Sequence, residues 1–184
     1  MKAQKFALIF AAALTPAQLQ AGPAGTVPGV AMIQGAQDDI TLIKQVMGSF
    51  DAAIKAKDVA ALRALFYEGK IVWRATGHPQ SRAEIGRLES RTVPIVEDIG
   101  AHQLIANPAL TAFRLEEVLG EPTIRTDGQL ATVTFSYRFL AQGQIQNWGE
   151  ESWQMAKAAD GWKIVHLMFS YHLEQLTPFK PGAK

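Results

Sequence analysis

Between Asp38 and Leu88 the apolar residues recur at intervals of three and four, the period of a helix with one buried stripe. Ile40, Ile43, Val46, Phe50 and Ile54 fall on one such stripe behind Asp38-Asp39, which reads as an N-cap, and predict a first helix over 40–57. Asp58 caps a second, 59–66, with Leu62, Leu65 and Phe66 turned inward and Gly69 closing it. The β-branched and aromatic hexamer 70–75 predicts a strand, 76–80 a turn, and Ser81 the cap of a third helix through Ile85 and Leu88. From Thr92 to Leu110 the pattern is poor, broken by Pro94 and Pro108, with room for a helical turn or two at 96–105.

After Thr111 the period changes from helical to alternating. Turn signals at Thr126-Asp127-Gly128, Gln142-Gly143-Gln144 and Ala159-Asp160-Gly161 divide the remainder into strands 112–125, 129–142, 145–157 and 161–174. Short turns between consecutive strands make an antiparallel meander. Ala131, Val133, Phe135, Tyr137, Phe139 and Ala141 share one parity and are expected to face the helices. The last strand is apolar on both rows, which one layer of helices cannot bury. Its even row, Trp162, Ile164, His166 and Met168, is therefore expected to face outward onto a second copy of the chain. The fold class is α+β: three N-terminal helices on a strongly curved, mostly antiparallel sheet, a cone with a pocket.

Residues 1–21 change the picture of where this domain works. Lys2 and Lys5 precede a short apolar run, Phe6 to Leu14, and a small-residue segment ending at Ala21, the layout of a secretory signal peptide. The run is shorter than the roughly 20 residues of a spanning helix. Cleavage is placed after Ala21, with Ala17 as the alternative, giving an exported chain, periplasmic or secreted, with no membrane segment left. Residues 22–37, rich in Gly, Pro and Ala, read as a flexible linker, 38–175 as the folded domain and 176–184 as a tail. Cysteine is absent, so neither a disulfide nor a thiolate site is available. The formal net charge is +1 and the basic residues are scattered, which argues against a nucleic-acid partner.

Helix, helix, strand, helix and meander, with Asp58-x-x-Ala61-Leu62-x-x-Leu65-Phe66 early and Trp162-x-Ile164-x-His166-x-x-x-Ser170 late, resembles the nuclear transport factor 2-like superfamily, including its SnoaL-like members. The resemblance covers about residues 38–175. It implies a conical fold around an apolar pocket, usually in a sheet-to-sheet homodimer, and a membership that mixes isomerases, dehydratases, hydrolases and non-enzymes. Fold alone does not choose among these. The isomerase pattern of an early-strand Asp does not carry over, because 71–76 contains no carboxylate. An Asp-Arg-Asp set for epoxide opening is not readable either.

The residue pattern itself supplies candidates. Parity brings Tyr137, Glu151, Trp153 and Tyr171 to the inner face, with Trp73, Phe135, Phe139 and Phe169 completing an aromatic, ligand-binding lining. A carboxyl among aromatic rings has its acid form favoured, so Glu151 could transfer a proton while Tyr137 or Tyr171 donates to an oxygen of the substrate. The structural alternative places Glu151 at the rim, paired with Arg138. Of the four histidines, His166 and His172 stand six residues apart, about 20 Å along a strand, and cannot share a metal. His102 is the one retained as an acid–base candidate. No metal spacing, nucleotide fingerprint or nucleophile elbow is present, and no cofactor is implied. Three functions stay open: binding of a small hydrophobic or amphipathic molecule, cofactor-independent isomerase, lyase or hydrolase chemistry at Glu151, and a protein-docking module.

Overall fold

The computed structural model describes residues 29–99 and 112–181. The expected leader at 1–21 and His102, the acid–base candidate, lie outside the described residues. Helix α1 runs from Gly29 to Ala56, α2 from Val59 to Ala64 followed by a 3-10 turn at Tyr67–Gly69, and α3 from Pro79 to Glu89. The strands are β1 (Trp73–Gly77), β2 (Glu97–Asp98), β3 (Leu115–Leu119), β4 (Thr123–Thr126), β5 (Leu130–Ala141), β6 (Gln144–Ala158) and β7 (Gly161–Leu173).

Helix α1 starts upstream of the expected Ile40, taking in residues assigned to the linker. Extending a helix already held by its packed stripe needs no new nucleus, and Ala, Met, Ile and Gln propagate well. Asp39 is consequently inside the helix rather than at its cap. Its carboxylate is 4% exposed and accepts hydrogen bonds from Lys157 Nζ at 2.8 Å and Trp162 Nε1 at 2.9 Å. Asp58 does cap α2, accepting from the Ala61 amide at 2.9 Å. Helix α3 begins at Pro79, whose fixed φ suits a first helical position, so Ser81 lies inside it. The Ser81 hydroxyl instead accepts from the Leu173 amide and ties α3 to β7.

The strands form one sheet in the order β2-β1-β7-β6-β5-β3, with β4 also paired to β5. All pairs are antiparallel except β1 with β7. The expected strand 112–125 is two strands on the same edge of β5. At the break, Gly120 donates to Ser136 O at 2.7 Å, where a side chain would collide with Ser136. Helix α1 packs on β3, β4 and β7, so Ile43, Met47, Phe50 and Ile54 meet the inner row of the sheet.

The doubly apolar last strand has an explanation within one chain. Across β6 and β7 the register steps by one between Gln154/His166 and Met155/Ile164, leaving Val165 as an extra residue. Such a bulge exchanges the faces of the strand on either side of it. Before it the even residues point in: Trp162 is 3% and Ile164 0% exposed. After it the odd residues do: Leu167 is fully buried and Tyr171 nearly so, while Val165 is exposed. The expectation that Trp162 and Ile164 face outward beside His166 and Met168 is thereby corrected.

Candidate functional site

The inner row of β5 is buried as the alternation requires, with Val133, Phe135 and Tyr137 each under 4% exposed. Pairing of β5 with β6 sets Glu151 opposite Phe135, and pairing of β6 with β7 sets it opposite Phe169. Glu151 is 1% exposed, so it lies on the floor of the cone and not at a rim. Arg138, the rim partner considered from sequence, is on the opposite face with its guanidinium over the Phe179 ring.

A second carboxyl joins it. Glu117 on β3 is 3% exposed and pairs across the ladder with Phe139. Glu117, Glu151, Asn147, Trp73, Tyr137, Phe139 and Phe169 line one small cavity of about 40 Å³. Glu151 Oε2 accepts from Trp153 Nε1 at 2.7 Å. Glu151 Oε1 and Glu117 Oε2 are buried and receive no N–H or O–H from any described neighbour. The proton able to satisfy them is one carried by the pair itself, and the two carboxyls are placed to share it.

The electrostatics agree. Burial, opposed by the Trp153 N–H and by Glu117, pushes the Glu151 carboxyl from 4.5 up to about 7. Burial, the neighbouring Glu151 charge and a hydrogen bond to it hold Glu117 well above the usual carboxylate range. Two adjacent buried carboxyls cannot both ionise cheaply, so the pair titrates as a unit that keeps one proton.

The aromatic candidates divide into three groups. Trp73, Tyr137, Phe139 and Phe169 reach the cavity wall. Trp153 and Phe135 form the packing layer around it, in ring contact with each other and, through Trp153, with Phe50. Tyr171 is elsewhere: its ring lies against Gly77 and Arg82, and it does not line the cavity.

Tyr137 is present but engaged. Its hydroxyl lies 3.0 Å from Ser170 O and 2.9 Å from the Asn147 side chain, reaching β7 over Gly149, where an added side chain would strike Ser170 O. One phenolic proton donated to Ser170 leaves none for a ligand. Burial, with Glu151 and Glu117 adding to it, raises its pKa well above the ordinary value, which keeps that proton in place. The unengaged donor is Trp73 Nε1, buried without a partner on the cavity-lining ring.

Glu117 and Asn147 were not among the sequence candidates. For Glu117 the signal existed: Leu115 and Leu119 share its parity, which marks that row as the inner one. The described residues hold no cluster of three or more metal-ligating side chains. A larger surface hollow, about 710 Å³ between α2 and the β6–β7 turn, has no buried ionisable residue in its lining.

No protein-family model and no curated protein sequence matches the chain. Solved structures do match its shape. An NTF2-like protein with a cystatin-like fold from Novosphingobium aromaticivorans superposes with a TM-score of 0.57 at 16% identity, over 79% of this chain and 89% of that one. A proposed scytalone dehydratase from the same organism gives 0.55 at 12% identity, over 77% and 89%. A proposed dehydratase of the NTF2-like family from Streptomyces avermitilis gives 0.51 at 18%, over 75% and 99%. At these identities the likeness concerns shape, and the helices on one face of a bulged sheet are those of the nuclear transport factor 2-like, cystatin-like fold.

Proposed function

We propose that the cone interior binds the reacting end of a small, largely apolar molecule carrying one oxygen function, and that Glu151 and Glu117 move a proton on it without a cofactor. The observation that carries this reading is the carboxyl pair: two acids almost wholly buried, each with an unpartnered oxygen, bordering one aromatic cavity. Burying a carboxyl without partners costs stability that an apolar residue in its place would not. A pair sharing one proton offers an acid and a base side by side at neutral pH, the equipment for isomerising, dehydrating or hydrolysing a neutral substrate. Trp73 Nε1 is the donor available to the substrate oxygen.

The cavity volume limits what enters. About 40 Å³ holds a water or a group of a few heavy atoms, well below the few hundred Å³ of a site for a drug-sized ligand. A ring is therefore admitted by displacement of Phe139 or Phe169, while the carboxyls stay fixed in their strands. Residues 1–21, with the layout of a secretory signal peptide, support the further proposal that this activity is exercised outside the cytoplasm.

The test uses Trp73 and Trp153 as built-in reporters. Titration with cyclohexanone and phenol as simple probes is expected to change the tryptophan emission saturably in the native chain and in Glu151→Gln. Turnover of any substrate found among larger ketones, enols and alcohols is expected to vanish in Glu151→Gln while binding persists. Unchanged turnover in that variant, or no saturable response to any probe, contradicts the reading.

A further inference from the structure

Glu117 is the one residue shared by the buried cavity and a surface groove of about 380 Å³ between α1 and β3. On the groove side stands Asp51, on α1. Its Oδ2 accepts from Lys55 Nζ at 2.8 Å at the surface, whereas its Oδ1 is buried and has no partner. Three carboxyls in succession, Asp51, Glu117 and Glu151, thus each keep one oxygen inside the protein that no N–H or hydroxyl of a described neighbour reaches. A row of acids alone would not define a path. The cavity at its inner end is also lined by Trp73, whose Nε1 is buried without a partner. Buried polar atoms in such a set call for a ligand or a water between them.

We propose that Asp51, Glu117 and Glu151 form a proton path from solvent in the α1–β3 groove to the inner cavity, with Asp51 as its entrance. The inference rests on the acid–base reading above, since a sealed pair that changes protonation needs a route to solvent. A carboxyl can take a proton on one oxygen and release one from the other. A proton taken up from solvent by Asp51 passes from its buried Oδ1 to Glu117 as Glu117 delivers its own to Glu151, so Asp51 and Glu117 return to their starting states and Glu151 holds the one proton that solvent supplied. The charged groups facing Asp51 and Glu117 are Lys55 on α1, Glu116 beside Glu117 on β3, and Lys44 paired with Glu121 across the groove. Lys55 bridges Asp51 and Glu116, holding the entrance carboxyl with one oxygen out and one in.

The test needs no substrate. Trp153 donates to Glu151, so its emission reports the ionisation of that group, and Glu151→Gln identifies this component by abolishing it. The full chain is jumped from pH 5 to pH 8 in a stopped-flow instrument, native and as Asp51→Asn, Asp51→Glu and Lys55→Met. In Asp51→Asn the Glu151 step is expected to keep its amplitude and slow roughly tenfold or more, as loss of a positioned proton-transfer group does. Asp51→Glu is expected to restore the native rate, and Lys55→Met, which removes the ion pair but leaves the carboxyl, to stay within a few-fold of it. An Asp51→Asn rate equal to the native one, including both complete within the mixing time, overturns the path and leaves the acid–base pair standing. Absence of the Glu151 step from the native chain overturns both.

Discussion

Two places among the described residues bury acid, and they do it in opposite ways. Asp39 has its Oδ1 met by Lys157 and Trp162, and those hydrogen bonds, Lys157 first, hold its pKa below the ordinary value. Glu117 and Glu151 have between them one donor, Trp153 Nε1, and burial drives both upward. Asp39 joins α1 to the β6–β7 hairpin and is accounted for by the fold it holds. The inner pair joins nothing that an apolar pair would not join as well, so its presence calls for another reason. A buried acid with its partners supplied is architecture; one left short of partners on a cavity wall is a candidate for chemistry.

Removing each acid should break the comparison in opposite directions. Asp39→Ala strips the acceptor from a buried indole N–H and a half-exposed ammonium and is expected to lower stability by about 2–3 kcal/mol in urea unfolding at pH 7. Because the folded pKa of Asp39 is depressed, its contribution is present above 3.8 and fades as the pH falls through the folded value, so native and variant converge in acid.

Glu151→Gln should do the reverse. The folded pKa of Glu151 is raised, so its stability contribution is complete below 4.5 and is lost as the pH climbs toward about 7. Glutamine accepts from Trp153 and donates to Glu117 without titrating. The variant is expected to be more stable than the native chain at pH 8 by about 1–3 kcal/mol, with the difference gone near pH 4. Equal stability of the two at pH 8 would remove the strain ascribed to the pair.

Two smaller tests sharpen the contrast. Trp153→Phe removes the hydrogen bond that opposes burial and is expected to move the Glu151 titration upward by about one unit, read from carboxyl NMR shifts. His172→Gln addresses the outer face, where His172 is stacked between Trp148 and His78. Burial, then the His78 charge, depresses its pKa, so the native chain loses stability as the pH falls below the ordinary histidine value of 6.5. The variant is expected to lose less, the smallest of these effects, by thermal unfolding at pH 7 and 5.

Much of this arrangement is legible in the residue pattern, and what is not has identifiable causes. Strict alternation along 130–141 places Phe135, Tyr137 and Phe139 correctly because that strand stays in register over its inner length. Alternation fails on 161–173 because one inserted residue, Val165, switches the faces, and two apolar rows then look like two buried faces at once. Depth along the cone is also invisible to parity. Tyr171 and Glu151 both point inward, but on different parts of the sheet, so only one borders the cavity. Nor does sequence reveal that the Tyr137 proton is spent on Ser170, a contact between strands joined through a third. The row of Glu117 is legible from Leu115 and Leu119, which share its parity, but its meeting with Glu151 depends on β3 and β6 both flanking β5, which parity does not show.

The central claim, that the inner carboxyls hold one proton between them at neutral pH, is tested most directly by NMR of the full chain with glutamate carboxyls labelled with ¹³C, followed from pH 4 to pH 9. Glu117→Gln and Glu151→Gln assign the two signals. The account predicts that both stay unionised past the ordinary glutamate range, that the first proton leaves near pH 7, and that the second is retained well beyond it, the Glu117 midpoint falling when Glu151 is replaced. Two carboxyls that both ionise near pH 4.5, indifferent to each other's substitution, would contradict it.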